Sequence, residues 1–171
     1  MAHERGLDIR LGDIDVLNPE KEKFDIITIS HVIEHVYNPV NLLRKCYLML
    51  NKNGYVWIDT PNINSEGHRI YGRNWRGLEP PRHLVLFSYN TLHDALRDTG
   101  FSNIQDQPYR PLCKSIFQSS EAISKGDDPF KEPSKYSFFG ELKRNIIKSE
   151  RISFKDPSKR EFITIKAWRR D

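Results

Sequence analysis

His31, Glu34 and His35 stand at i, i+3 and i+4, a spacing that sets all three on one side of a single helical turn. Two imidazoles and a carboxylate grouped this way, just past the apolar run Phe24-Asp25-Ile26-Ile27-Thr28-Ile29-Ser30, make a candidate metal site. The same residues have plainer uses. Glu34 can serve the first turn of a short helix, and His35 can bond a backbone carbonyl. A second polar cluster, Pro80-Pro81-Arg82-His83, lies further along. Without a metal, His83 or His31 could act as a general base on a substrate hydroxyl. Alternatively, Pro81-Arg82-His83 only rigidifies a loop. Trp75 could stack on a planar substrate or pack beneath that loop.

These residues are positioned by a recognisable succession of elements. Phe24 to Ser30 is nearly continuous in apolar and β-branched residues, as in a strand covered on both faces. In an open parallel sheet ligands collect at the carboxyl ends of strands, which places His31 to His35 at a functional rim. Asn38-Pro39 supplies an N-cap and a first-turn proline for a helix carrying Leu43, Cys46, Tyr47 and Leu50, with Asn53-Gly54 closing it. Tyr55 to Asp59 reads as the next strand, completing a βαβ unit. Thr60 to Leu86 is irregular, and Ser88 then caps a helix ended by Gly100. Phe101 to Gln107 and Glu161 to Trp168 read as strands. An earlier short strand is expected where Leu7, Ile9 and Leu11 alternate with polar residues. Residues 108–160, with helices expected over Leu112 to Ser124 and Phe138 to Lys148, read as an insertion or lid.

With 171 residues the chain suits one domain: a core over 1–107, the 108–160 lid and a final strand over 161–171. Charged residues make up 29% and the net charge is +4, with Lys and Arg spread among acids, so nucleic acid is not the expected partner. The mean hydropathy of -0.65 is low for the chain's size. Cys46 and Cys113 form no C-x-x-C, which suits a reducing compartment. No stretch approaches membrane-spanning length and the amino terminus has no signal-peptide core, so a cytoplasmic protein is expected.

Phe24-Asp25-Ile26-Ile27, Ile33-Glu34-His35, Leu50 with Gly54, Thr60-Pro61-Asn62, Gly72-Arg73-Asn74-Trp75, Pro81-Arg82-His83-Leu84 and Gly100-Phe101 follow one another in a familiar order. In these residues the chain resembles the later part of a class I S-adenosylmethionine-dependent methyltransferase, most closely the branch of ubiquinone-biosynthesis O-methyltransferases. The resemblance covers Leu7 to Phe101 and returns at the final strand. It implies an α/β fold: a truncated Rossmann-like sheet with a parallel βαβ core, a C-terminal antiparallel strand and helices on both faces. It implies methyl transfer to a hydroxyl of a small acceptor, with Trp75 and Arg82 as candidate acceptor contacts. It places Asp13 near the adenine amino group of S-adenosylmethionine, and Ser30 and His31 beside the methyl donor. Glu34, His35 and His83 match a divalent-metal cluster of that branch, with His31 standing where the first glutamate would be. An ion held there would lower the pKa of an acceptor hydroxyl.

The resemblance has a gap. The family's G-x-G-x-G loop and the acidic residue after the next strand are absent from this sequence. Cofactor binding by this chain alone is therefore expected to be weak or absent. The Phe24 strand is left with an unpaired edge for a partner chain or a second copy. That edge supports an alternative, a non-catalytic methyltransferase remnant acting as a binding subunit. A third reading takes His31-Val32-Ile33-Glu34-His35 literally as H-x-x-E-H, the inverted zinc-peptidase motif. That mechanism needs a sustained helix, which Pro39 cuts short.

Overall fold

The computed structural model describes residues 5–131 and 140–170. Its sheet has the order β1-β2-β4-β3. Strands β1 (Phe24–Ser30) and β2 (Leu50–Pro61) run parallel, and β4 (Phe162–Arg169) lies antiparallel between β2 and β3 (Phe101–Asp106). The helices are α1 (Pro39–Met49), α2 (Glu66–Tyr71), α3 (Tyr89–Asp98), α4 (Cys113–Ser124) and α5 (Gly140–Lys155). This is the expected α/β class, with its parallel βαβ unit and antiparallel final strand. Among the described residues no helix is long and apolar enough to cross a membrane.

Local chemistry explains the two core helices. The Asn38 side chain accepts from the Asn41 amide at 3.0 Å, and Pro39 opens the first turn of α1. Ser88 and Thr91 cap α3 reciprocally. Both helices lay an apolar stripe on one sheet face. There Val56 and Ile58 alternate inward with Ile163, Ile165 and Ala167, against Leu43, Cys46, Leu92 and Leu96. The opposite face carries Tyr55, Trp57, Lys166 and Trp168, all half-buried, and Ile26, which is 52% exposed. A smaller second core joins Cys113 and Phe117 of α4 to Ile146 of α5, with Ile70 and Tyr71 of α2 packed against it.

The structure corrects several sequence expectations. The Leu7-Ile9-Leu11 segment is not a strand, and Leu11 is fully exposed. A strand must pair its amides, and among the described residues nothing pairs with this one. Strand β1 is covered on one face only: Ile29 is buried beneath the helices, whereas Phe24 and Ile26 point to the opposite face and are exposed. Helix α1 stops at Met49, short of Asn53-Gly54. Those two residues instead sit in an irregular stretch of the β1–β2 ladder, between the Phe24↔Leu50 and Ile26↔Tyr55 pairs, where Asn53 takes a left-handed φ of 63°. The Thr60 to Leu86 stretch contains α2 and two 3-10 turns, Gly72–Asn74 and Arg76–Leu78. The helix expected over Phe138 to Lys148 continues to Lys155, while Phe138 lies outside the described residues.

Candidate active site at the strand ends

The backbone turns sharply where β1 ends. His31 adopts a left-handed φ of 51°, uncommon outside glycine, and its amide donates to the Asp59 carbonyl at 2.9 Å. A single 3-10 turn, Ile33–His35, follows before the chain leaves for α1. The turn buries Ile33 and Glu34 completely. The loop after Leu78 folds back onto it, with the amides of Leu84 and Val85 both donating to the Glu34 carbonyl, at 2.8 and 3.2 Å. That clasp brings His83 to the turn although the two are far apart in sequence.

Glu34, His35 and His83 each offer a ligand atom, and these atoms all lie within 4.8 Å of one another. The two imidazole rings stand 4.9 Å apart between centroids. His35 Nδ1 is 2.8 Å from the Arg82 carbonyl, and His83 Nδ1 is 2.7 Å from the Gly77 carbonyl. A carbonyl only accepts, so each Nδ1 carries the proton and each Nε2 keeps a lone pair. Thus His35 does bond a backbone carbonyl, and that bond leaves its other nitrogen as the acceptor. Glu34 Oε2 accepts from the Thr60 hydroxyl at 3.0 Å, whereas the buried Oε1 has no hydrogen-bond partner. Its closest approach is to His31 Nδ1 at 3.4 Å, a long contact that leaves room for a cation to bind the same oxygen. Burial pushes the Glu34 pKa up, but nearby His31 and the Thr60 hydroxyl outweigh it and hold the group below the ordinary carboxylate value.

His31, expected as a fourth ligand, stands apart from this set. Its Nδ1 lies 3.4 Å from Glu34 Oε1 and its Nε2 lies 3.8 Å from Asp59 Oδ2, with half of the side chain exposed. Glu34 first, then Asp59, raise its pKa against the opposing effect of partial burial. The H-x-x-E-H reading loses its basis, because His31 and His35 flank one short turn and are not joined in a ligand set. Trp75 is not a stacking platform: it is 2% exposed and its indole N–H donates to Glu161. Arg82 reaches the cavity rim with an exposed side chain and pairs with Glu79 at 2.5 Å.

Glu79 was not evident from sequence. It holds a left-handed φ of 36°, pairs with Arg76 and Arg82, and has its Oε2 3.7 Å from His83 Nε2. Such strain in a non-glycine residue marks functional loops, yet nothing in its residue type announces it. The cavity beside the cluster is walled by Ile116 and Ser119 of α4, Phe130 and Phe162. The Arg76 guanidinium lies 4.5 Å above the Phe130 ring.

A parallel pair, an antiparallel strand laid beside it and a polar rim at the strand ends match the α/β architecture expected of class I S-adenosylmethionine-dependent methyltransferases. The methyltransferase domain model matches residues 6–106, more than half of the chain, and the chain belongs to that family. It is 36% identical over 117 residues to the ubiquinone biosynthesis O-methyltransferase of Parvibaculum lavamentivorans, covering 63% of this chain and 46% of that protein. A 51-residue stretch is 37% identical to the protein of the same name from Glaesserella parasuis, covering 30% of this chain and 22% of that one. The chain therefore spans less than half the length of these relatives. Among solved structures, a methyltransferase of Thermotoga maritima superposes with a TM-score of 0.57 at 21% identity, over 99% of this chain and 67% of that one. One from Archaeoglobus fulgidus gives 0.54 at 18%, over 94% and 66%. At these identities the likeness is one of fold.

The residues assigned to S-adenosylmethionine are not brought together. Ser30 and His31 end β1 at the rim. Asp13 caps a 3-10 turn, Ile14–Val16, and lines a depression with Phe24 at the opposite end of the same strand. Among the described residues, Asp13 therefore lies away from the rim that Ser30 and His31 occupy.

Proposed function

We propose that this chain supplies the acceptor side of an oxygen-directed methyl transfer, holding and deprotonating a hydroxyl of a small molecule. The observation that carries this reading is the buried Glu34 Oε1, with only a long 3.4 Å contact to His31, set beside two imidazoles whose Nε2 lone pairs are freed by carbonyl bonds on Nδ1. Glu34, His35 and His83 would hold a divalent ion, which supplies Lewis acidity toward an acceptor hydroxyl. The nitrogen-rich set favours zinc, iron, cobalt or nickel over magnesium. His31 is placed to take the hydroxyl proton, since Glu34 and Asp59 stabilise its imidazolium. Ile116, Phe130 and Phe162 offer an apolar wall to the acceptor, and Arg82 sits at the lip. Residues 108–160 act in this reading as a lid, supported by the place of α4 in the cavity wall. Both cysteines are free and buried, their thiols pushed up to about 12 by burial, which suits a reducing setting such as the cytoplasm.

Calorimetric and visible-absorption titration with Zn²⁺, Co²⁺ and Mg²⁺ tests the site. The expected result is saturable binding of one Zn²⁺ or Co²⁺, weaker Mg²⁺, and at least a roughly tenfold loss in Glu34→Gln and His83→Ala. Binding that ignores both substitutions, or no binding, would overturn the metal reading. Titration with S-adenosylhomocysteine should give no micromolar binding by this chain alone. A micromolar isotherm would show that the cofactor site is complete.

A second reading, a binding subunit, is favoured by the open β1 edge with Phe24 and Ile26 exposed. Sedimentation over a concentration series should then show self-association that Thr28→Pro abolishes. A strict monomer would leave that edge to a different chain.

A further inference from the structure

We infer that Glu161 is a positioning residue for His83, acting through Trp75 and Gly77. The inference rests on the reading of His83 as a site residue and adds the device that orients it. Glu161 lies just before β4, 3% exposed. Its Oε1 accepts from the Gly67 amide at 2.7 Å and its Oε2 from the Trp75 indole N–H at 2.9 Å. Both partners are N–H donors, and the two oxygens of the ionised carboxyl accept from them together. A glutamine at this position would turn its own N–H₂ toward one of them.

The six-membered ring of the indole held this way rests against Gly77. A Cβ at position 77 would stand 2.3 Å from two of the ring carbons, so no side chain is admitted there. Position 67 is equally closed, since a Cβ would come 2.3 Å from Glu161 Oε2 and 2.7 Å from Trp75 Nε1. Gly77 then presents its carbonyl to His83 Nδ1 at 2.7 Å, and the His83 side chain is itself only 6% exposed. Three successive contacts therefore run from a carboxylate at the head of the last strand to the imidazole. Neither Glu161 nor Trp75 lines the cavity beside the metal cluster. The carboxylate fixes the ring, the ring fixes the Gly77 peptide, and the peptide fixes which nitrogen of His83 carries the proton.

The test is long-range ¹H–¹⁵N spectroscopy of the histidine rings above neutral pH, on the protein without added metal, with signals assigned from His83→Gln and His35→Gln. Wild type should show His83 and His35 each as a single neutral tautomer protonated at Nδ1. Glu161→Gln and Trp75→Phe should each convert His83 to a mixture while His35, anchored to Arg82, keeps its tautomer. Should Glu161→Gln fail to fold, Trp75→Phe carries the same test, because it removes both the N–H that Glu161 holds and the outer ring carbons that rest on Gly77 while keeping an aromatic ring in the core. An unchanged His83 in a folded variant overturns the inference. So does a joint change of His83 and His35, which would mean general loosening. Because no metal is present, failure of Zn²⁺ binding would undo the site reading and leave this result standing, and the reverse also holds.

Discussion

The two faces of the sheet are built from the same strands and have opposite character. On one, Val56, Ile58, Ile163, Ile165 and Ala167 are buried beneath α1 and α3. On the other, Tyr55, Trp57, Lys166 and Trp168 remain half-exposed and Ile26 is open. Strand alternation assigns side chains to faces, but only a packed helix turns a face into a core. The contrast shows where stability resides in this chain and where a further surface could be accommodated.

Ile165→Ala, on the closed face, should break that contrast most severely, lowering stability by about 2–5 kcal/mol in urea denaturation. A loss below about 1 kcal/mol would mean that the α1–α3 layer is not the main core. The next effect belongs to Glu161, at the rim joining the two faces. Burial pushes its pKa up to about 7, above the ordinary 4.5, even though Trp75 and the Gly67 amide favour the ionised form. The folded state then holds a proton that the unfolded chain releases. The contribution is intact below about pH 4.5 and is lost as pH rises through about 7, amounting to about 3 kcal/mol. Urea midpoints across that window should fall in wild type relative to Glu161→Gln. Parallel profiles would refute the shift. The smallest effect is expected on the open face, where Ile26→Ser should stay within about 0.5 kcal/mol. A loss of several kcal/mol would show that this face is covered in solution.

Those outcomes bear on how far the residues alone disclose the molecule. The Phe24 strand, the Asn38-Pro39 and Ser88 caps and the final strand were readable because each depends on local chemistry or on simple alternation. The Leu7 segment has the same alternation but no neighbour to pair with among the described residues, and pairing is a property of the fold. Helix α2 was hidden because it spans six residues, with glycines at 67 and at its end. In the candidate site, Glu34 and His35 stood out by type and spacing, whereas His83 joined them as a ligand only through the family resemblance. Glu79 was not, since its strained backbone becomes visible only in three dimensions. Glu161 was equally silent, because its partners Gly67 and Trp75 lie far off in the chain. Trp75 shows the reverse error: a large aromatic in a loop invites a ligand role, yet its ring is spent against Gly77.

The exchange between the turn and the loop has a consequence for motion. Glu34 receives two loop amides through its carbonyl, while His35 gives its ring proton to the same loop at Arg82. Swinging the loop aside would dismantle the cluster instead of uncovering it. Turn and loop are thus laced into one unit, and His83 keeps its place only while the two stay together.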